Sequence, residues 1–131
     1  MNVLTPIDGS DCSYRALDFA AEFTQRYEGT LHVVHFANRE SESTRRILSR
    51  AEERLDETGV LADPEVVSDL RISELRYGNQ IGKDILHLAE KREYDHVIMG
   101  HHGSDAVGRL LLGSAAETVI RAAETPATVI P

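Results

Sequence analysis

Of the 131 residues only one is a cysteine, Cys12, which excludes an internal disulfide framework and suits a reducing compartment. No apolar run approaches the roughly 20 residues that a membrane-crossing helix needs, so a membrane is not an expected partner. The N-terminus carries no basic segment followed by a long apolar stretch, so no secretory leader is expected and a cytoplasmic location is. Lysine is scarce: Lys83 and Lys91 stand against twelve arginines, as in a salt-adapted or a GC-rich host. Basic charge as a whole is in the minority, 14 residues against 22 acidic ones, for a net charge of −8. That balance works against general binding to DNA, RNA or anionic lipid. Repeats, linkers and low-complexity tracts are missing. So is a Gly-x4-Gly-Lys-Ser/Thr loop, and with it the lysine that reaches the outer phosphates in P-loop enzymes.

What is present is alternation. A chain of this length forms one domain that buries roughly two-thirds of its unfolded surface. Asn2–Ile7 is an apolar run too short for a helix and predicts a first strand. Ser10 or Asp11 caps a helix to about Glu28, with Ala16, Leu17, Ala20 and Phe23 facing the core and Gly29 ending it. Thr30–Phe36 is a second strand, and about Glu42–Thr58 a second helix with Ile47, Leu48, Ala51 and Leu55 on one face. Gly59 and Pro64 precede a third strand within Glu65–Ile72, with an extended tail to Tyr77. Gly78 and Asn79 turn into a third helix, about Gln80–Lys91. Asp95–Met99 is the fourth strand, Ala115–Ala123 the fourth helix and Ala127–Ile130 the fifth strand. Five strands alternating with four helices predict a single α/β domain, an open parallel sheet covered on both faces.

The most informative stretch is Gly100-x2-Gly103-x9-Gly113-Ser114, lying between the fourth strand and the fourth helix. Strand, glycine loop and helix start present backbone N–H groups and a helix dipole to an anion, and glycine keeps side chains from holding that anion away. With this spacing the chain resembles the nucleotide-binding branch of the universal stress protein family. Val3 to Ser10, with its Asp8-Gly9-Ser10 turn, is similar to the family's opening strand, and the ending Thr125–Pro131 fits as well. The resemblance covers nearly the whole chain, and its specificity lies mainly in the glycine loop. It implies strand order 3-2-1-4-5, which places the switch point between the first and fourth strands, where ligands bind in open α/β sheets. Asp8 and Gly100 follow the carboxyl ends of those two strands. Pro6 is tolerable there, where the strands would splay.

The resemblance implies ATP, with Gly100 close to the ribose, Gly103 and Gly113 along the phosphates, and Ser114 and Ala115 at the helix start meeting them. An ordinary glycine turn with a serine N-cap is the plain alternative. Asp8 is placed against the adenine or ribose, or it organises its own Asp-Gly-Ser turn. Pro6, Ile7, Phe36 and Met99 would form an apolar slot for the base, or are ordinary core. Phe36 departs from the smaller aliphatic residue usual there. His102 matches a histidine often seen in this loop, whereas His101 stands where the family has a small residue. Adjacent histidines suggest a metal, yet no third ligand at sensible spacing is visible, so no protein-held metal is expected. Arg109 could reach a phosphate. His32, His35, His87 and His96 read as structural, and Cys12 as an inert thiol.

Without a lysine for the outer phosphates, a water-positioning glutamine or a dedicated metal aspartate, no catalytic residue is assigned. The expected ligand is ATP, with Mg2+ or Mn2+ carried by its phosphates. The expected role is a nucleotide-dependent homodimeric switch in a stress response, read by an unidentified regulatory partner. The alternatives are a slow ATP hydrolase using the same pocket and a nucleotide-free dimeric interaction module. Ala127–Ile130 would be an apolar edge strand, which pairing across a two-fold axis would cover.

Overall fold

The computed structural model describes residues 1–68, 78–102 and 112–131. Strands and helices alternate through β1 (Asn2–Pro6), α1 (Asp11–Arg26), β2 (Thr30–Phe36), α2 (Glu42–Thr58), β3 (Glu65–Val67), α3 (Gly78–Lys91), β4 (His96–Gly100), α4 (Ser114–Ala122) and β5 (Ala127–Ile130). All pairings are parallel and the strand order is β3-β2-β1-β4-β5. The predicted fold class and order are therefore the observed ones. The extended tail expected up to Tyr77 lies outside the described residues, as do Gly103 and Arg109.

The local signals acted as expected in most places. Ser10 caps α1, accepting from the Ser13 amide at 3.1 Å, and Ser41 caps α2, accepting from Thr44 at 3.1 Å. Gly59 ends α2 in the left-handed region at φ 75°, where glycine has no Cβ to obstruct it. The end of α1 differs from the reading: the helix stops at Arg26, and Glu28 (φ 52°) rather than Gly29 takes the left-handed conformation. Gly29 is needed for closeness instead, since a Cβ there would stand 2.9 Å from the Met1 carbonyl oxygen. β4 runs one residue later than expected, so Gly100 ends the strand rather than beginning the loop. α3 starts at Gly78, two residues early, and Gly82 inside it lies against α4, where a Cβ would meet Thr118 Cβ at 2.6 Å.

Strand alternation sends side chains to two cores, one on each face. Val3, Ile7, Leu31, Val33 and Ile98 pack under α1 and α2 against Tyr14, Leu17, Ala20, Ala51 and Leu55. Leu4, Val34, Val97 and Met99 pack under α3 and α4 against Ile85, Leu88, Ala89, Ala116 and Val119. β1 follows β2 as far as Pro6 opposite Val34, and β4 follows β5 as far as Gly100 opposite Ile130. Between β1 and β4, however, the ladder stops at Leu4 opposite Val97. Pro6 has no N–H to continue a ladder. The sheet therefore opens at the carboxyl ends of its two central strands.

Two histidines are half-buried in this frame. His32 packs its ring 4.9 Å from Tyr94, and His96 packs 5.3 Å from Phe23 while its Nε2 meets Thr128 Oγ1 at 2.8 Å. Burial pushes both imidazoles below the ordinary value of 6.5; for His32 the Arg92 charge pushes the same way and Glu65 opposes. The unfolded chain therefore takes up these protons first as pH falls. Stability is fully present above about pH 6.5 and declines on acidification through the two lowered values. Urea unfolding at pH 7.5 and pH 5.5 should show a lower midpoint at pH 5.5, and the double variant His32→Gln, His96→Gln should show a smaller drop. An equal drop in the variant would assign the acid sensitivity to other groups.

Candidate functional site

The opening between β1 and β4 is bordered first by the turn after β1. Ile7 is 3% exposed and its amide donates to the Val34 carbonyl at 2.8 Å, so the strand remains tied to β2 up to the turn. Asp8 Oδ1 then accepts from the Ser10 amide at 2.9 Å and from Ser10 Oγ at 2.5 Å. Gly9 sits at φ +88°, and a Cβ there would also press on Ile47 at 3.0 Å. Asp8 thus does organise its own turn, as one of the two readings had it. The same turn leaves the residue exposed at the mouth of the opening. His35 locks this corner: its Nδ1 lies 2.8 Å from the Ile7 carbonyl, which can only accept, so Nδ1 carries the proton.

The second border is the end of β4. Met99 is buried on the α3–α4 face, where Phe36 also packs half-buried. Ile7 packs on the opposite face, under α1 and α2. The four slot residues are therefore not one surface: Phe36 and Met99 share a side, whereas the Ile7 side chain is core on the other. Gly100 is glycine for a reason that the sequence did not show. The first turn of α1 lies on it, and a Cβ would stand 2.7 Å from Cys12 Sγ and 3.2 Å from the Cys12 carbonyl carbon.

The third border is the start of α4. The chain leaves the sheet at His101 and returns at Gly113, whose amide donates to the His101 carbonyl at 2.6 Å and closes the neck of the loop. Gly113, not Ser114, is the N-cap, with φ −63° and ψ 153° and no side-chain cap. Ser114 is the first helical residue and is exposed, with Ala115 half-buried behind it. The amides of Ser114, Ala115 and Ala116 have no partner inside the helix, because the first bond back to the cap is Glu117 N to Gly113 O at 2.9 Å. N–H groups with no partner among the described residues, and the positive end of a nine-residue helix, therefore lie beside His101.

Cys12, read from the sequence as an inert thiol, lies among polar neighbours. Its Sγ is 3.4 Å from His101 Nδ1, accepts from the His101 amide at 3.2 Å and lies 3.1 Å from the Ile130 carbonyl. His101 and His102 meet edge to face with ring centroids 4.2 Å apart. The only sequence signal for this contact was indirect: a small residue in the first helical turn and a glycine ending a central strand, close together once α1 crosses over the sheet. A separate depression, lined in part by Leu31, His32, Asp56, Leu61, Asp63 and Arg92, lies where β2 and β3 begin, at the opposite edge from Asp8 and Gly100.

Among the described residues, no helix is long and apolar enough to cross a membrane. The family model described as the universal stress protein family matches residues 1–131. A universal stress protein of Methanocaldococcus jannaschii is 27% identical over 143 residues, covering 98% of this chain and 80% of that protein. Among solved structures, a universal stress protein from Archaeoglobus fulgidus superposes with a TM-score of 0.78 at 22% identity, covering 100% of this chain and 98% of that one. The Archaeoglobus fulgidus universal stress protein in complex with dAMP gives 0.75 at 22% identity, covering 100% and 98%. A universal stress protein in complex with cAMP gives 0.74 at 20% identity, covering 100% and 97%.

Proposed function

The chain belongs to the universal stress protein family, and from that premise we propose that the opening between β1 and β4 binds ATP and that the loaded protein acts as a homodimeric switch in the cytoplasm. The carrying observation is convergence. The ladder between the central strands stops at Leu4 and Val97, and the Asp8 turn and the first-turn amides of α4, which have no partner inside the helix, border the gap from either side. The adenine-nucleotide complexes of two proteins sharing this fold support the same reading.

In this arrangement the base lies over the strand ends beside Pro6, Phe36 and Met99, and the backbone of Ile7 lines the slot rather than its side chain. Asp8 accepts from a ribose hydroxyl or from the adenine amino group. Gly100 brings the β4 backbone near the ribose. The phosphates meet the amides and hydroxyl at Ser114 and Ala115; the Gly113 amide is already given to His101. His102 lines the path between, and Gly103, outside the described residues, is assigned to the phosphates by its place in the glycine spacing. Mg2+ or Mn2+ comes with the phosphates. No described side chain is placed as a catalytic base, so binding without rapid turnover is the expected behaviour. Among the described residues β5 pairs on one side only, with β4. We assign its other edge, Ala127–Ile130, to the dimer, and the state of that dimer to a regulatory partner.

The test is the nucleotide content of gently purified protein, released by denaturation and separated by ion exchange, together with phosphate release from added MgATP. Retained or readily reloaded adenine nucleotide without phosphate release above background is the expected result. Protein that comes clean and takes up no ATP with magnesium or manganese would overturn the reading.

A further inference from the structure

The geometry points to a second ligand at the same end of the sheet, a zinc-class cation held by Cys12, His101 and His102. Each of these residues offers one ligand atom, and the three atoms lie within 4.8 Å of one another. The observation is independent of the nucleotide, because it rests on a thiol from α1 meeting two consecutive imidazoles that follow β4.

The distances suit such an ion. With bonds of about 2.3 Å to sulfur and about 2.0–2.1 Å to nitrogen, tetrahedral zinc holds its ligand atoms roughly 3.3–3.7 Å apart. Cys12 Sγ and His101 Nδ1 are already 3.4 Å apart. Side-chain rotation of His102, which is half-buried against the His101 ring, completes the triangle. Three protein donors leave the fourth position for water or an incoming ligand.

The donor chemistry selects the metal. One thiolate with two imidazoles favours Zn2+ over the hard Mg2+ and Mn2+ ions that accompany phosphates. Cys12 is the second residue of α1, and the His101 N–H, which makes its shorter bond to the Ile130 carbonyl at 2.8 Å, also reaches its sulfur at 3.2 Å. Without metal the thiol proton is directed at the Ile130 carbonyl, 3.1 Å away. On coordination the S–H bond breaks, its proton passes to solvent and the electron pair forms the bond to zinc; the neutral imidazoles lose no proton. The fully buried sulfur and the backbone packed around it keep the site small. His102 also lies on the path proposed for the phosphates, so the two ligands would share one side chain.

Cobalt is the probe. Reduced, chelator-treated and nucleotide-free protein is titrated with Co2+ and then with Zn2+. The expected result is one equivalent of cobalt with a sulfur-to-metal charge-transfer band in the near ultraviolet, visible bands of four-coordinate cobalt, and displacement of both by zinc. Cys12→Ser should lose the charge-transfer band. His102→Gln, at a half-buried position, should keep the fold by circular dichroism. It should weaken cobalt binding by at least the roughly 10–100-fold that loss of even an outer-shell partner costs. Folded wild-type protein without the charge-transfer band, or a His102→Gln variant that binds as wild type, would overturn the site. The titration contains no nucleotide, so a failed ATP reading leaves its outcome unaffected.

Discussion

Gly113→Val is expected to weaken ATP binding by about 10–100-fold, the equivalent of losing one charge-assisted hydrogen bond of about 1.5–3 kcal/mol. The backbone at Gly113, φ −63° and ψ 153°, is open to any residue, so the substitution introduces no conformational strain. Its harm is steric. In the proposed arrangement a branched side chain at the cap would stand between a phosphate and the amides of Ser114 and Ala115. Valine is also a poorer N-cap than glycine, so some loss of α4 stability accompanies it. Gly113→Ser separates the two effects, because serine is a good cap: it should hold or raise the melting temperature and still weaken binding. Calorimetric titration with MgATP beside thermal unfolding reads both. Wild-type affinity in the valine variant would move the phosphates away from α4.

Gly100→Ala is expected to destabilise the fold by about 2 kcal/mol, within the roughly 1–3 kcal/mol typical of an overpacked core. An added Cβ meets Cys12 Sγ at 2.7 Å and the Cys12 carbonyl carbon and oxygen at 3.2 and 3.3 Å. Two of these three atoms are backbone of the first turn of α1, so the helix itself must retreat. The gain from replacing glycine inside a strand, about 0.5–1 kcal/mol, is smaller and acts against this loss without cancelling it. For a domain of this size the melting temperature should fall by about 5–10 °C. Adding Cys12→Ala removes the nearest contact and should return part of the loss. A Gly100→Ala protein as stable as wild type would show that α1 does not sit where it is described.

These two glycines show where sequence reading reached and where it stopped. The spacing from Gly100 to Ser114 correctly placed a loop between β4 and a helix start, because glycine and a following periodic run are local signals. The element bounds were legible for the same reason: apolar runs of strand length alternate with amphipathic stretches that have polar caps. What each glycine touches was not local. Gly100 is small for Cys12, Gly29 for the Met1 carbonyl and Gly82 for Thr118, and each partner comes from a distant part of the chain. The cap of α4 was read one residue late because serine is the commoner capping residue, and here Gly113 takes the position. Cys12 and His101, 89 positions apart, meet only because α1 crosses the carboxyl end of β4. No spacing rule along the chain would have paired them. Ile7 was assigned to the slot from its place at the strand end, whereas the alternation of β1 sends its side chain to the other face.

The proposed binding of an adenine nucleotide between β1 and β4 is tested most directly by adding MgATP to isotope-labelled protein and following backbone amide shifts. The account predicts saturable changes centred on Ile7–Ser10, Met99–His102 and Ser114–Ala115. Changes confined to Leu31–Val33 and Leu61–Glu65, at the opposite edge of the sheet, or no changes at saturating ATP, would contradict it.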